Sequence, residues 1–389
     1  MRPPLYVHIP YCLKKCGYCD FFSKPSARVP TEYVKAAARQ IEFLSREFRV
    51  EEWKSVYIGG GTPSLMGAED LEFLCKAIKA AAPLASDCEW TIEMNPGSIS
   101  AELLEAARSF GINRLSLGIQ CKNQKVLDAI ERRATVAQIE EAASLAKNIW
   151  AASWSADLIA GLPFQTKEDI ARDIDFIERN GTNHISLYSL TLEEGTPLAK
   201  KIERGEMPYD EEAAEELWLY GRDLLEARGY LQYEVSNFAK AGFESKHNAA
   251  YWAQESYLGA GAGATGTIYG NPTGCRYTNV LDAAKYIEHW NGSAKQKGFN
   301  GPNAGARQFD FPCQLESLDM DTQEFEYIMT NLRTKRGAGA SEYKARYGKD
   351  LAARLGHSKW LEKIERDGEA FYAMTREGLL FLNKFLEEL

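Results

Sequence analysis

Long hydrophobic runs are missing from this sequence of 389 residues. No segment approaches the ~18 consecutive apolar residues of a transmembrane helix, and residues 1–10 lack the apolar stretch of a secretory signal peptide. Strongly basic blocks are also missing, and the formal net charge is −9. The sequence therefore predicts a soluble, cytoplasmic protein without a basic surface for binding nucleic acid. Peripheral contact with a membrane is compatible with these features.

A disulfide framework is absent as well. Three of the eight cysteines fall within eight residues, and the other five are scattered along the chain. Scattered cysteines in a long chain without a secretory signal predict reduced thiols. We interpret the scattered ones as packing residues; they are Cys75, Cys88, Cys121, Cys275 and Cys313.

The composition is that of an ordinary globular protein, with 45% hydrophobic and 26% charged residues, and two hydrophobic periods alternate along the chain. Strand-like runs fall at residues 5–9, 55–58, 89–93, 114–118, 153–159, 184–190 and 231–235. Helical patterns fall at residues 31–45, 68–82, 101–109, 124–132, 136–147 and 167–180. Repeated β–α units predict an α/β fold whose parallel sheet has right-handed crossovers and closes, fully or partly, into a barrel.

The C-terminal part of the sequence has a different pattern. A long acidic helix is predicted at residues 210–229, and a connector rich in glycine, asparagine and proline at residues 291–312. Beyond the connector, helices are predicted at residues 322–332, 341–347, 351–366 and 375–389, with a short strand at 371–374. We therefore expect a barrel domain of residues 1–300 and a small, helical, winged-helix-like domain of residues 301–389.

The three clustered cysteines form the motif Cys12-Leu-Lys-Lys-Cys16-Gly-Tyr-Cys19. Thiolates are the usual ligands of iron–sulfur clusters, and three ligands for four irons leave one iron free to bind another group. The alternative is a structural zinc site, which usually has four ligands, often as two CxxC pairs. A second pair is missing here, so the spacing favours a cluster.

Glycine-rich or polar residues follow several predicted strands. The first such segment is Gly59-Gly60-Gly61-Thr62-Pro63-Ser64, and others are Asn95-Pro96-Gly97, Gln120 and Gly161-Leu162-Pro163. The active sites of (β/α) barrels lie at the carboxyl ends of the strands, and glycines let backbone groups approach a ligand closely. A triple-glycine turn alone is more often a plain turn, but one β–α unit after the cysteine motif it predicts a ligand site.

Six segments together resemble the oxygen-independent coproporphyrinogen III oxidase-like group of the radical-SAM superfamily, over nearly the whole chain. They are residues 8–21, 59–64, 93–96, 114–120, 157–163 and 233–238. The resemblance implies a partial (β/α)6 radical-SAM barrel with additional strands and a small, mainly helical C-terminal domain. It also implies a [4Fe–4S] cluster on Cys12, Cys16 and Cys19, with S-adenosylmethionine (SAM) at the open iron.

The resemblance carries over to individual residues that would bind SAM. Positions that match its SAM contacts are Tyr6, Gly60, Gly61, Thr62, Glu93, Gln120, Arg132 and Asp157, and Tyr18 matches an aromatic position near the adenine. Carboxylates, an amide and an arginine suit the ammonium, ribose and carboxylate of SAM, and Arg132 suits the carboxylate. Ordinary salt bridges are the alternative reading, and Ala134 departs from the histidine that the family often has there.

Two features separate the branches of this group. The oxidase branch has one more cysteine, at the position that Phe21 occupies here; the HemW-type heme chaperones lack that cysteine, as this sequence does. In addition, His247-Asn-Ala-Ala-Tyr251-Trp252 matches the HNxxYW motif that is associated with heme in those chaperones. The resemblance implies that His247 contacts heme, whereas a lone histidine near aromatic residues is otherwise more often structural. His8 is expected to orient the cysteine loop, and His184, His289 and His357 have no motif around them.

The resemblance thus implies a heme chaperone that binds heme or a porphyrin together with the cluster and SAM. Heme would pass to acceptor proteins, such as respiratory enzymes at the membrane, and a homodimer stays open. The alternative is an enzyme, the oxidase that decarboxylates coproporphyrinogen III, and radical-based heme degradation is a third option. No residue is assigned a catalytic role, and whether the protein is an enzyme is left undecided.

Overall fold

The computed structural model describes residues 1–150, 153–292 and 311–389. Its centre is a run of six parallel strands that follow one another both in the chain and in the sheet. These strands are β1 (Pro4–Ile9), β4 (Trp53–Gly60), β5 (Leu84–Met94), β6 (Arg114–Gln120), β7 (Trp154–Ala160) and β8 (His184–Ser189). Two short strands, β2 (Tyr11–Cys12) and β3 (Lys24–Pro25), pair in parallel at the two ends of the cysteine loop, the segment that carries Cys12, Cys16 and Cys19.

Three further strands extend this sheet to nine. Strand β11 (Leu258–Ala260) lies parallel to β1, while β10 (Asn237–Ala239) lies antiparallel to β8 and to β9 (Leu231–Gln232). The predicted strand at 231–235 is therefore shorter than expected. The order and direction of the strands confirm the predicted α/β fold, a partial (β/α)6 barrel with additional strands.

Six helices connect the parallel strands as the hydrophobic periods predict. They are α1 (Thr31–Glu47), α2 (Ala68–Ala81), α3 (Ala101–Ser109), α4 (Gln124–Ala129), α5 (Val136–Ile149) and α6 (Lys167–Arg179). Two more helices follow β8, namely α7 (Pro197–Glu203), which was not predicted, and the predicted acidic helix, α8 (Glu211–Ala227). Side-chain caps begin α3 to α8; at the start of α3, for example, the Ser100 hydroxyl accepts a hydrogen bond from the backbone N–H of Leu103. Helix α4 ends before the predicted residue 132, because Glu131 has a φ of 54°, outside the helical range.

A second, three-stranded antiparallel sheet lies beside the barrel. It contains β12 (Thr265–Ile268), β13 (Gly274–Asn279) and β14 (Cys313–Leu318), and the adjacent helices are α9 (Lys246–Trp252) and α10 (Ala283–Asn291). The predicted boundary between residues 300 and 301, and residues 293–310 of the predicted connector, lie outside the described residues.

The C-terminal residues form a unit of helices and a small sheet, which includes the strand predicted at 371–374 and two further strands. Helices α11 (Met320–Asn331), α12 (Ala340–Tyr347), α13 (Leu351–Leu355) and α14 (Leu382–Glu387) surround a sheet of β15 (Ala338–Gly339), β16 (Leu361–Arg366) and β17 (Glu369–Met374). The predicted helix at 351–366 is wrong beyond residue 355. Asp367 and Gly368 have φ values of 51° and 78°, which are those of a tight hairpin turn that pairs β16 with β17. The predicted helix at 375–389 is also too long, since its helical part begins at a 3-10 turn, Gly378–Phe381.

The side chains of β1 point alternately into the hydrophobic core and into the interior of the barrel. Leu5, Val7 and Ile9 are fully buried in the hydrophobic core, whereas Tyr6 and His8 lie on the opposite face of the strand and line a cavity. No helix in the described ranges combines the length and the apolar character needed to cross a bilayer.

Candidate functional site

A cavity of about 370 Å³ lies at the carboxyl ends of the parallel strands. The three motif cysteines, Cys12, Cys16 and Cys19, line it. So do eight of the residues that the sequence indicates for SAM, namely Tyr18, Gly60, Gly61, Thr62, Glu93, Gln120, Arg132 and Asp157. Of the site residues expected from sequence, only Tyr6 and His247 lie elsewhere.

The cysteine loop is held at both ends. The backbone N–H of Lys24 donates to the Pro10 carbonyl over 2.8 Å, and the N–H of Ser26 donates to the Cys12 carbonyl over 2.8 Å. His8 Nε2 lies 3.2 Å from the Phe22 carbonyl oxygen, so His8 contacts the end of the loop as expected. These contacts hold the three thiols around one cavity.

The three motif cysteines, Cys12, Cys16 and Cys19, are free thiols. Within the described ranges, no three histidine, cysteine or acidic side chains converge closely enough to hold a single metal ion. A four-iron cluster offers a different iron to each thiolate, so its ligands need not converge on one point. The three-thiol set therefore suits a cluster better than a zinc ion.

The glycine turn after β4 leaves no room for larger side chains. A Cβ atom on Gly60 would lie 2.5 Å from the His8 ring, and one on Gly61 would lie 2.7 Å from the Tyr11 carbonyl oxygen. Gly60 also has a φ of 109°, which favours glycine. The turn therefore lies tightly against β1 and the cysteine loop and presents its backbone to the cavity.

Two carboxylates make the cavity wall acidic. Glu93 Oε1 accepts a hydrogen bond of 2.7 Å from the Tyr57 hydroxyl, and Oε2 accepts one of 2.9 Å from the Gly60 N–H. Burial raises the pKa of Glu93 to about 7, and the neighbouring charge of Asp157 adds to the rise. Burial likewise raises the pKa of Asp157, against hydrogen bonds from Ser186 and Ser116. A bound cation would offset this cost.

Gln120 is turned toward the cavity by a local irregularity in the sheet. Its φ is 68°, and the pairing of β6 with β7 shifts register between Gly118 and Gln120. Bulges of this kind are common beside active sites, where they redirect a side chain.

Arg132 connects the cavity to the cysteine loop. Its Nη1 donates to Cys16 Sγ over 3.4 Å, and its Nη2 donates to the Gly118 carbonyl over 2.7 Å. Its Nε is buried and has no hydrogen-bond partner in the described part of the chain. An unpaired buried donor is rare in native structures, and a ligand carboxylate would satisfy it.

Tyr6 and His247 lie in a second region, outside the lining of the cavity that contains the three cysteines. The Tyr6 hydroxyl lies 2.9 Å from His8 Nδ1. His247 is buried, with Nδ1 at 2.8 Å from the Ser55 hydroxyl and Nε2 at 2.9 Å from the Tyr251 hydroxyl. Burial lowers the pKa of His247 to about 3, so its ring is neutral at physiological pH.

The first residues of α9 are bound by a single carboxylate. Glu89 accepts hydrogen bonds from the Ser245 hydroxyl (3.1 Å) and from the backbone N–H groups of Lys246 (3.1 Å) and His247 (3.0 Å). A carboxylate at a helix N-terminus satisfies free N–H groups and complements the helix dipole. Helix α9 is therefore fixed to β5 through Glu89 and to β4 through the hydrogen bond between His247 and Ser55.

A second cavity, of about 760 Å³, lies beside α9. Tyr251 and Trp252 of the HNxxYW motif line it together with Tyr6 and His8, and Phe21 lines both cavities. The Trp252 Nε1 is buried without a hydrogen-bond partner in the described ranges. Tyr251 and Trp252 of the motif thus line a different cavity from the one that the three cysteines line, and Phe21 lies between the two.

Sequence reasoning missed several residues of the first cavity. Tyr57 and Ser116 donate to Glu93 and Asp157, while Tyr188 and Ser189 line the cavity at the end of β8. A signal exists in the strands: polar or small residues recur at every second position, as in Arg114, Ser116 and Gly118 of β6, which marks the face turned to the barrel interior.

Three thiols on one loop and a glycine turn, at the carboxyl ends of a partial (β/α)6 barrel, define a radical-SAM protein. The model of the Radical SAM superfamily matches residues 6–177.

Two relatives named Heme chaperone HemW are similar over nearly the full length. The one from Haemophilus influenzae is 32% identical, covering 99% of this chain and 97% of its own. The one from Escherichia coli is 31% identical, covering 99% and 98%. The chain belongs to the HemW family of heme chaperones.

The fold has a known counterpart. Coproporphyrinogen III oxidase (HemN) from Escherichia coli, described as a radical-SAM enzyme, superimposes with a TM-score of 0.77 at 19% identity, covering 99% of this chain and 90% of that one. At this identity the likeness shows the fold alone. Membership of the superfamily implies SAM and a [4Fe–4S] cluster, and the free thiols, the glycine turn and the unpaired Arg132 Nε fit both groups.

The raised pKa of Glu93 gives a pH-dependent prediction. Its folded pKa of about 7 lies above the ordinary 4.5, so its contribution to stability is complete below about pH 4.5 and is lost as the pH rises through 7. Relative to wild type, the Glu93→Gln variant should gain about 2–3 kcal/mol in free energy of unfolding between pH 5 and pH 8.5. Urea unfolding of the cofactor-free proteins measures this difference, and a flat difference across that range would exclude the raised pKa.

Proposed function

We propose that this protein is a heme chaperone that binds heme in the second cavity, holds a [4Fe–4S] cluster and SAM in the first, and passes heme to acceptor proteins. The observation that carries the proposal is the position of Tyr251 and Trp252. These two of the four residues specified by the HNxxYW motif line a cavity of about 760 Å³, and relatives named Heme chaperone HemW match nearly the whole chain.

The second cavity suits a large flat apolar ligand. Its volume lies within the ~300–1,000 Å³ typical of ligand sites, and its lining is rich in aromatic rings, namely Tyr6, Phe21, Phe22, Tyr251, Trp252, Tyr257 and Tyr269. Asp20 and Glu326 also line it, and the Arg276 guanidinium pairs with Glu326 over 2.7 Å. Because Arg276 is already paired, the heme carboxylates are expected at the open mouth, and the ring face against the aromatic residues.

The residues that line the first cavity would divide the binding of two groups. Cys12, Cys16 and Cys19 would ligate the cluster, Arg132 the SAM carboxylate, and Glu93 its ammonium. Bound together, the cluster and SAM supply one-electron chemistry. In the chaperone they would stabilise the protein or regulate it.

The alternative function is the oxidative decarboxylation of coproporphyrinogen III. The overall fold is that of an enzyme with this activity, but Phe21 replaces the extra cysteine of the oxidase branch and the HNxxYW motif favours the chaperone. Anaerobic incubation of the reconstituted protein with coproporphyrinogen III, SAM and a reductant is expected to give no protoporphyrinogen. Product formation would establish the enzyme instead.

The proposal includes a location and partners. We place the protein in the cytoplasm, with heme acceptors such as respiratory enzymes at the membrane surface. A homodimer would be one form in which it holds heme.

A substitution in the second cavity tests the heme site. Trp252→Ala should lower heme affinity by about 2 kcal/mol, or ~30-fold, because an aromatic face against the ring is lost. Trp360→Ala is the matched control, since Trp360 stacks on Phe381, with ring centroids 5.2 Å apart, and does not line the cavity. A heme titration followed at the Soret band measures both. Equal affinity for both variants would remove Trp252 from the site.

A further inference from the structure

The segment after α4 is fastened to the cysteine loop by three adjacent residues. The Ile130 carbonyl accepts a hydrogen bond of 2.9 Å from the backbone N–H of Gly17. The Glu131 carboxylate pairs with Lys14 (2.6 Å) and with Lys201 of α7 (2.8 Å). Arg132 then reaches Cys16 Sγ. Three consecutive residues thus bind the loop that carries the thiols.

The backbone turn at Glu131 makes these contacts compatible. A φ of 54° at Glu131 is a conformation that residues other than glycine adopt at a cost of about 1–3 kcal/mol, and such costs persist at functional sites. The turn lets the Ile130 carbonyl and the next two side chains face the loop together. The contact between Arg132 and Cys16 is therefore part of a fixed arrangement.

The three cysteines have unequal surroundings. Cys12 Sγ accepts a hydrogen bond from the neutral Thr62 hydroxyl at 3.5 Å, whereas Cys16 Sγ accepts one from a guanidinium at 3.4 Å. Among the side-chain hydrogen bonds of the described residues, Cys16 alone of the three bonds to a cation. Hydrogen bonds and charge at the sulfur atoms are among the factors that set the reduction potential of an iron–sulfur cluster.

We propose that Arg132 raises the reduction potential of the cluster by donating a charged hydrogen bond to Cys16. The inference rests on the proposed cluster. Reduction adds one electron, which comes from an external reductant and increases the negative charge on the irons and their thiolates. A guanidinium at a ligand sulfur stabilises that charge more than the charge of the oxidised cluster. Arg132 thus acts on the charge of the cluster through Cys16, in addition to any contact with SAM.

The test is a redox titration with dithionite, without SAM, that follows the electron paramagnetic resonance signal of the reduced cluster. At the wild-type midpoint, the ratio of reduced to oxidised cluster in Arg132→Met should fall about tenfold, which corresponds to a midpoint ~59 mV more negative for a one-electron couple. Arg132→Lys keeps the charge but loses the guanidinium fork, so its shift should be smaller. Arg133→Met removes the same charge one residue further on and should leave the midpoint unchanged.

The outcomes separate this inference from the proposed function. A wild-type protein that assembles no cluster overturns the cluster itself. A cluster with equal midpoints in wild type and Arg132→Met, or an equal shift in Arg133→Met, overturns the role of Arg132 alone. If Arg132→Met assembles no cluster, the midpoint of Arg132→Lys decides the question. Loss of the cluster in both variants means that Arg132 only holds the loop, and the inference fails.

Discussion

Replacing Cys16 by alanine is expected to abolish the cluster. Anaerobically reconstituted wild-type protein should be brown, with about four irons per chain, and Cys16→Ala should be colourless with iron near background. Cys16 is one of three thiols around a single cavity, and the described residues that line this cavity include no further cysteine to replace it. Iron and sulfide analysis together with the visible spectrum measures the loss.

The matched control for Cys16 is a cysteine outside the cavity. Cys75 is buried in α2 and belongs to the hydrophobic core. Cys75→Ala should lower stability modestly, by about 1 kcal/mol, and keep the full iron content. A Cys16→Ala protein with wild-type iron, or a wild-type protein that carries zinc in place of iron, would refute the cluster assignment.

Replacing His247 by alanine is expected to abolish stoichiometric heme binding. His247 links α9 to Ser55 on β4 and contacts the Tyr251 hydroxyl within α9, so its removal breaks the side-chain contact with β4 and leaves Tyr251 without this partner, while the hydrogen bonds to Glu89 remain. The protein contains a second buried histidine with the same kind of partners, because His184 lies 2.7 Å from the Ser155 hydroxyl and 2.7 Å from the Tyr233 hydroxyl. His184→Ala is therefore a control with matched chemistry.

The two histidine variants should differ in heme binding but not in stability. Each loses two hydrogen bonds and a buried ring, so each should lose about 2–4 kcal/mol in free energy of unfolding. Only His247→Ala should lose the Soret band in a heme titration. If both variants bind heme equally, the motif has no role in heme binding, and if both fail equally, the loss reflects general destabilisation. Partial binding by His247→Gln would indicate that His247 acts by holding α9, because both of its ring nitrogens already have protein partners.

The barrel and its first cavity follow closely from the sequence. The strands and helices follow from the hydrophobic periodicity of the local sequence. In a parallel barrel, the carboxyl ends of the strands meet at one end. The order of residues along the chain is therefore enough to place the cysteine motif, the glycine turn, Glu93, Gln120 and Asp157 together. Arg132 also reaches the cavity, although α4 ends earlier than its periodicity indicates.

Other features depend on contacts that no local pattern encodes. The sequence Asp367-Gly368 is a recognisable hairpin signal, but strand β16 is largely exposed, so its residues lack the alternation of apolar and polar positions that predicts a strand. The position of α9 depends on Glu89, which is more than 150 residues away in the chain. The second cavity unites residues from the start of the barrel with Glu326 and Met329 of α11, and only the folded chain brings them together.

In the proposed chaperone, heme and the cluster occupy different cavities of one chain. An anaerobic heme titration of the cluster-loaded protein, with the Soret band and the cluster iron and sulfide measured in the same samples, tests this arrangement. We predict saturation at one heme per chain while the cluster content stays unchanged. Heme binding only after loss of the cluster, or no saturable binding at all, would contradict the claim.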